Sequence, residues 1–256
     1  MSTTADTDRR AELRAAWTEV HGPLNAAAED LLEQHPSYFE RVLNFTAHAW
    51  RRGPLEPKVK ALILLSVDSA ASHLYGPGTV ENVRRALALG ATPDEVLETL
   101  ELTSTMGIHA ANTGVPILLE ELEAAGIAVD FETPLTARQE EIKALFTEKR
   151  GYWNSFWDGF LRLDAEFFAA YTEMSAHPWE RGTLAPKVKE LIYCAFDASA
   201  THMFGVGLRQ HIANAIRYGA SAEELMEVFE LASGIGVESF ALALPALREA
   251  LERGEA

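Results

Sequence analysis

Shifting the chain by 129 positions lays one half of it on the other. "LEPKVKALILLSVDSAASHLYGPG", Leu55 to Gly78, falls on "LAPKVKELIYCAFDASATHMFGVG", Leu184 to Gly207. The register continues without a gap: "AHAWRRG" meets "AHPWERG", "LALGATPDEVLE" meets "IRYGASAEELME", and Pro116 meets Pro245. Self-similarity at a fixed offset constrains the fold strongly, because each copy is expected to adopt the same supersecondary unit. The chain reads as two tandem copies, residues 1–129 and 130–256. They are joined by "AAGIAVDFETPLTARQ", where Gly126 and Pro134 interrupt the helical pattern.

Within each copy apolar residues recur at three- and four-residue spacing, and no alternating pattern runs beyond four residues, which predicts an all-α fold. In the second copy Pro186 suits a first helical turn, and Val188, Leu191, Ile192, Ala195 and Phe196 form the stripe of a buried core helix that Gly205 and Gly207 interrupt. A second helix is expected from Leu208 to Tyr218 with Gly219 as its cap. A third starts at the Ser221–Glu224 capping box and runs through "ASGIGVESF". Two helices, Arg138 to Lys149 and Tyr152 to Ser175, precede them. Lys58, Lys60, Lys187 and Lys189 lie in first turns, where the helix dipole disfavours a cation, so each predicts a carboxylate partner.

A formal net charge of −16 makes nucleic acid and anionic membrane surfaces poor partners. No uninterrupted apolar run approaches the roughly 20 residues of a membrane-spanning helix, and "MSTTADTDRR" lacks the order of a signal peptide, so the expected location is the cytoplasm. One cysteine, Cys194, permits neither an internal disulfide nor a CxxC pair, and it reads as a core residue.

The chemistry-bearing stretch is "THMFGVGLRQH", Thr201 to His211. His202 ends the core helix and His211 lies about one turn into the next, so the turn between them is expected to bring both imidazoles into one pocket. Glu190, Cys194, Asp197 and Thr201 share a helix face leading to His202. Their counterparts are Ala61, Leu65, Asp68 and Ser72, and Asn82 replaces His211, so the second copy is expected to be active and the first degenerate. Asp68 and Asp197, present in both, predict a shared structural bond; His48 and His177, beside Trp50 and Trp179, predict packing. His109 and Glu238 are equivalent positions on the third helix. If that helix packs on the turn of its own copy, His202, His211 and Glu238 would form a divalent-metal site, with His73, Asn82 and His109 as a weaker set. Two routes therefore stand open: cofactor-free proton transfer, or a divalent metal ion.

The unit "L-x-P-K-V-K-E-L", a turn, a histidine, "A-x-x-x-G-A-x-x-E-E" and a further helix resembles the carboxymuconolactone decarboxylase and alkylhydroperoxidase D superfamily over residues 55–122 and 184–251. The first copy departs from it at Ala61 and Asp94. The resemblance implies all-α units assembled as rings, hence a homo-oligomer that is a trimer or larger. In the peroxidase branch a glutamate, a CxxC pair and a histidine form a proton relay. Glu190 and His211 match the glutamate and histidine, whereas Phe204 and Gly207 stand where the cysteines would be, so thiol peroxidase chemistry is disfavoured. The decarboxylase branch implies proton transfer on a small carboxylate or lactone without a cofactor. On that reading His211 is the general acid or base beside Glu190, and His202 places the substrate or shares its proton. Arg209 would meet a substrate carboxylate, with Thr201 and Phe204 also contacting substrate. The contrasting class is a catalytically silent helical binding or assembly protein whose two histidines are core residues.

Overall fold

The computed structural model describes residues 4–127 and 129–254, and their regular elements are helical. The first repeat holds α1 (Thr4–His21), α2 (Ala26–Gln34), α3 (Pro36–Arg52), α4 (Pro57–Ser69), α5 (Gly76–Ala88), α6 (Pro93–Ser104) and α7 (His109–Ala124). The second holds α8 (Ala137–Arg150), α9 (Asp158–Leu163), α10 (Ala165–Arg181), α11 (Pro186–Ala198), α12 (Gly205–Arg217), α13 (Ala222–Ala232) and α14 (Ser239–Glu252). Helices α3, α4 and α5 recur residue for residue, 129 positions later, as α10, α11 and α12.

Local chemistry sets most of these boundaries. Thr92 with Glu95 and Ser221 with Glu224 form reciprocal capping boxes at α6 and α13. The free oxygen of each glutamate takes the first-turn lysine of the core helix, Lys58 to Glu95 and Lys187 to Glu224, both at 2.7 Å. The helix expected from Tyr152 to Ser175 is instead broken: a 3₁₀ turn, Ser155–Trp157, leads into α9. Asp164 then leaves helical geometry at φ −151° and caps α10 by accepting from the Phe167 N–H at 2.9 Å. The third helix likewise passes through a 3₁₀ segment, Ser233–Glu238, before α14. Helix α12 begins at Gly205 rather than Leu208, because the chain reverses earlier, through Met203 in the left-handed region at φ 54°. Leu74 does the same at φ 49°. A non-glycine residue there costs about 1–2 kcal/mol, so each turn is held by its surroundings.

Helices α4 and α11 pack against each other at the centre, with Leu62, Ile63, Leu65, Leu191, Ile192 and Phe196 all fully buried in one core. The sequence boundary near residue 130 therefore does not separate two cores. Two buried ion pairs cross it, Lys60 to Glu227 at 2.6 Å and Lys189 to Glu98 at 2.8 Å. Gly53 and Gly182 make room for them, since a Cβ at either would collide with the incoming glutamate. The last helices are exchanged. Helix α14 packs on α2 of the first repeat, and α7 packs on α9 of the second, with Leu244 and Ile108 joining the other repeat's peripheral core.

His48 and His177 are exposed, contrary to the packing expected of them, and His177 bonds Glu101 at 3.0 Å; the neighbouring tryptophans do the packing. The continuous helical stretch Ala222–Glu252 contains an 18-residue window with a mean hydropathy of 1.4, long and apolar enough to cross a membrane, which the sequence reading did not anticipate. Its α13 part lies in the central core and its α14 part against α2.

Removing one member of a buried ion pair strands the other, at a cost of about 3–5 kcal/mol. Glu98→Ala is expected to lower unfolding stability by that amount in a denaturant titration, whereas the paired replacement Lys189→Met with Glu98→Leu costs far less. Equal losses in the two would contradict the assignment.

Candidate active site

The exchange of α7 and α14 decides which side chains meet. Glu238, expected beside His202 and His211, lies instead with the first repeat: its Oε2 is 2.6 Å from His73 Nε2, and Asp68 at the end of α4 completes the group. The proposed set His202, His211 and Glu238 is not assembled, because the third helix packs on the partner repeat rather than its own. Asp68 Oδ2 accepts from the Asn82 amide at 2.8 Å. A Cβ on Gly78 would strike that carboxylate, so glycine is required there. Burial raises the pKa of Asp68, and the charge of Glu238 raises it further; burial also raises Glu238. Facing carboxyls in low dielectric cannot both ionise readily, so a proton stays on the pair into the neutral range.

This group borders a cavity of about 310 Å³ lined by Trp17, His21, Trp50, Arg85, Asp68 and Glu238 among others. The Arg85 guanidinium lies 3.4 Å from the Trp50 ring centroid, and its hydrogen-bond partner is the Val20 carbonyl rather than a carboxylate. Burial draws Arg85 down to about 10, which leaves it cationic at neutral pH. Burial, then the charges of Arg85 and Arg51, pull His21 down to about 3, so it is neutral; its Nε2 bonds Thr46 Oγ1 at 2.8 Å.

At the equivalent place in the second repeat, His109 arrives on α7. Its Nδ1 is 2.7 Å from His202 Nε2, with Asp197 Oδ1 at 3.7 Å from the first and 3.9 Å from the second. The structural bond expected for both aspartates is made by Asp68 but not by Asp197. That residue is 0% exposed, and neither of its oxygens has a hydrogen-bond partner among the described residues. The reason is the residue facing it. Asn82 reaches Asp68, whereas its counterpart His211 turns to Glu190, Nδ1 to Oε2 at 2.6 Å. Asn214 donates to the other oxygen of Glu190 at 3.1 Å, and Tyr193 stacks on the imidazole with centroids 4.2 Å apart. His202 and His211 therefore each have a separate carboxylate. His211 and His109 both line a second cavity, of about 30 Å³, enough for a single water.

Phe204 stacks on His109 at 3.9 Å and borders this small cavity. Thr201 is exposed and its hydroxyl lies 3.3 Å from that of Ser199. Arg209 is exposed on α12 and borders neither cavity. Cys194 is fully buried, and burial pushes its thiol far above the usual range, which removes it as a nucleophile.

The model of the carboxymuconolactone decarboxylase family matches residues 165–252. A crystal structure from Burkholderia xenovorans LB400, of a protein bearing the provisional name gamma-carboxymuconolactone decarboxylase subunit, superimposes with a TM-score of 0.93 at 45% identity, covering 96% of this chain and 98% of that one. The chain belongs to the carboxymuconolactone decarboxylase family. No curated protein sequence matches it. Within this family member, sequence reasoning missed Arg85 and the facing of Asp68 and Glu238. The 129-residue offset carried a signal for the first: Arg85 corresponds to Asn214 and His21 to Arg150, so each repeat places one guanidinium, from opposite helices, at its own cavity.

Because burial raises Asp68 above its unfolded-chain value, the stability tied to its protonated form is complete at acid pH and is lost as pH rises through the raised folded value. Asp68→Asn is expected to flatten the fall in Tm between about pH 4 and about pH 8. Scanning fluorimetry showing the same slope in both proteins would contradict this.

Proposed function

We propose that this member of the carboxymuconolactone decarboxylase family is a cofactor-independent acid–base enzyme acting on a small carboxylate or lactone, with decarboxylation as the reaction. The observation that carries the reading is the cavity of about 310 Å³ whose lining includes the Arg85 cation and a proton-sharing pair, Asp68 and Glu238. A cavity of this size suits a small organic acid. Loss of CO₂ leaves an electron pair that delocalises onto a neighbouring carbonyl oxygen, where the Arg85 guanidinium stabilises the developing negative charge. The protonated member of the carboxyl pair then delivers a proton to the carbon, and His73, bonded to Glu238, relays the replacement from solvent. His21, neutral and fixed to Thr46, lines the wall without competing for the anion.

The name of the Burkholderia relative, which includes the word subunit, supports self-association, as do Leu242, Leu247 and Leu251 on the outer face of α14, all exposed. We place this member among homo-oligomers on that basis.

A second reading keeps the chemistry at His211, whose 2.6 Å bond to the buried Glu190 forms the kind of dyad that positions a general base. One assay separates the two. With gamma-carboxymuconolactone as substrate, CO₂ release is expected from the wild type. Glu238→Gln should lower kcat by about 10²–10⁴-fold, the range for a general acid–base group. Arg85→Met should lower kcat/KM comparably. A fall of that order in His211→Asn, with Glu238→Gln near wild type, would transfer the reaction to the second repeat. An inert wild type over a panel of small lactone acids would favour the silent binding protein.

A further inference from the structure

We propose that His109, Asp197 and His202 form a binding site for one divalent transition-metal ion, separate from the cavity assigned to the substrate. The three facing atoms, His109 Nδ1, His202 Nε2 and Asp197 Oδ1, form a triangle with sides of 2.7, 3.7 and 3.9 Å. A point equidistant from the corners of such a triangle lies about 2.0 Å from each, the bond length of zinc to imidazole nitrogen and carboxylate oxygen. Two imidazoles and one carboxylate are the donor set of zinc and of non-haem iron(II) sites, and an ion here takes the place of the hydrogen bond that joins the two ring nitrogens.

A second observation points the same way independently. Asp197 is wholly buried, and both of its oxygens lack hydrogen-bond partners among the described residues. A carboxylate in that position has left water without any compensating donor, which a cation held against Oδ1 would supply. The corresponding group in the first repeat needs no ion: Asp68 takes the Asn82 amide, and Glu238 rather than histidine faces His73. The difference follows from two replacements, Asn82 against His211 and Glu238 against His109.

The surroundings hold the three donors in place. Phe204 stacks on the His109 ring at an interplanar angle of 19°, and the left-handed turn at Met203 fixes the residue directly before it, His202. A small cavity of about 30 Å³, with room for one water, lies on the Gly207 side of His109. His109 and His202 retain side-chain exposures of 12% and 16%, so an ion has a way in.

The test uses full-length protein purified without a histidine tag, stripped with chelator and titrated with zinc chloride by calorimetry. The expected result is binding of about one zinc ion per chain, with a Tm rise that depends on zinc concentration. His202→Ala, and His109→Phe, which keeps a ring against Phe204 but carries no donor atom, are each expected to lower affinity by more than about 100-fold, beyond the about 10–100-fold that loss of an outer-shell partner costs. His73→Ala should leave zinc affinity unchanged. Cobalt(II) loaded in place of zinc should show the intense visible bands of a low-coordinate nitrogen–oxygen site. Circular dichroism of the stripped variants separates a lost ligand from a lost fold, and His109→Phe serves if His202→Ala does not fold. Zinc that fails to bind the wild type, or that binds both variants as tightly as the wild type, would overturn the proposal.

Discussion

The fold turns on two buried ion pairs related by the repeat, Lys60 with Glu227 and Lys189 with Glu98. Each lysine lies in a first turn, where the dipole opposes it, and each is compensated twice. Its ammonium donates to carbonyls at the end of the preceding helix, Ala49, Trp50 and Gly53 for Lys60 and Pro178 for Lys189, and it meets a glutamate from the other repeat. The glutamates are satisfied in turn by N–H groups, Leu55 for Glu227 and Thr183 with Leu184 for Glu98. Fully paired buried charges of this kind contribute less to net stability than to specifying one arrangement, because any slip of one repeat against the other strands four charges at once.

With the repeats locked in that register, α7 and α14 lie over the partner's helices. The exchange makes each polar cluster a composite. Asp68 and His73 come from the first repeat and Glu238 from the second; Asp197 and His202 come from the second and His109 from the first. Neither repeat alone holds a complete set, which gives a physical reason for the two units to share one chain and one core.

The composite arrangement also lets a few positions differentiate the two poles. Glutamate at 238 against histidine at 109 sets a proton-sharing carboxyl pair against a pair of imidazoles. Asparagine at 82 against histidine at 211 decides whether the core-helix aspartate is hydrogen-bonded or left open. Arg85 stands over a substrate-sized cavity, whereas its counterpart Asn214 serves Glu190 beside a water-sized one. Symmetry of backbone thus coexists with asymmetry of chemistry, since helix packing depends on apolar positions common to both copies and the clusters depend on the few polar ones that differ.

The all-α class, the core helices with their proline starts, the capping boxes, the left-handed Gly219 and the need of the four first-turn lysines for a carboxylate were legible in the sequence, because each rests on residues within one helix or one turn; that Glu227 and Glu98 of the other repeat meet Lys60 and Lys189 was not. The break of the Tyr152–Ser175 helix at Asp164 was hidden because a capping aspartate inside an apolar-periodic run looks like a solvent-facing residue. The pairing of His211 with Glu190, 21 residues apart across one turn, lay within reach of that local reading. The meeting of Glu238 with His73, 165 residues away, and of His109 with His202 did not. Spacing along a chain describes which faces a helix has. Which neighbour covers each face was decided by the buried charges and apolar surfaces that bring the two repeats together, and these act only once the tertiary structure forms.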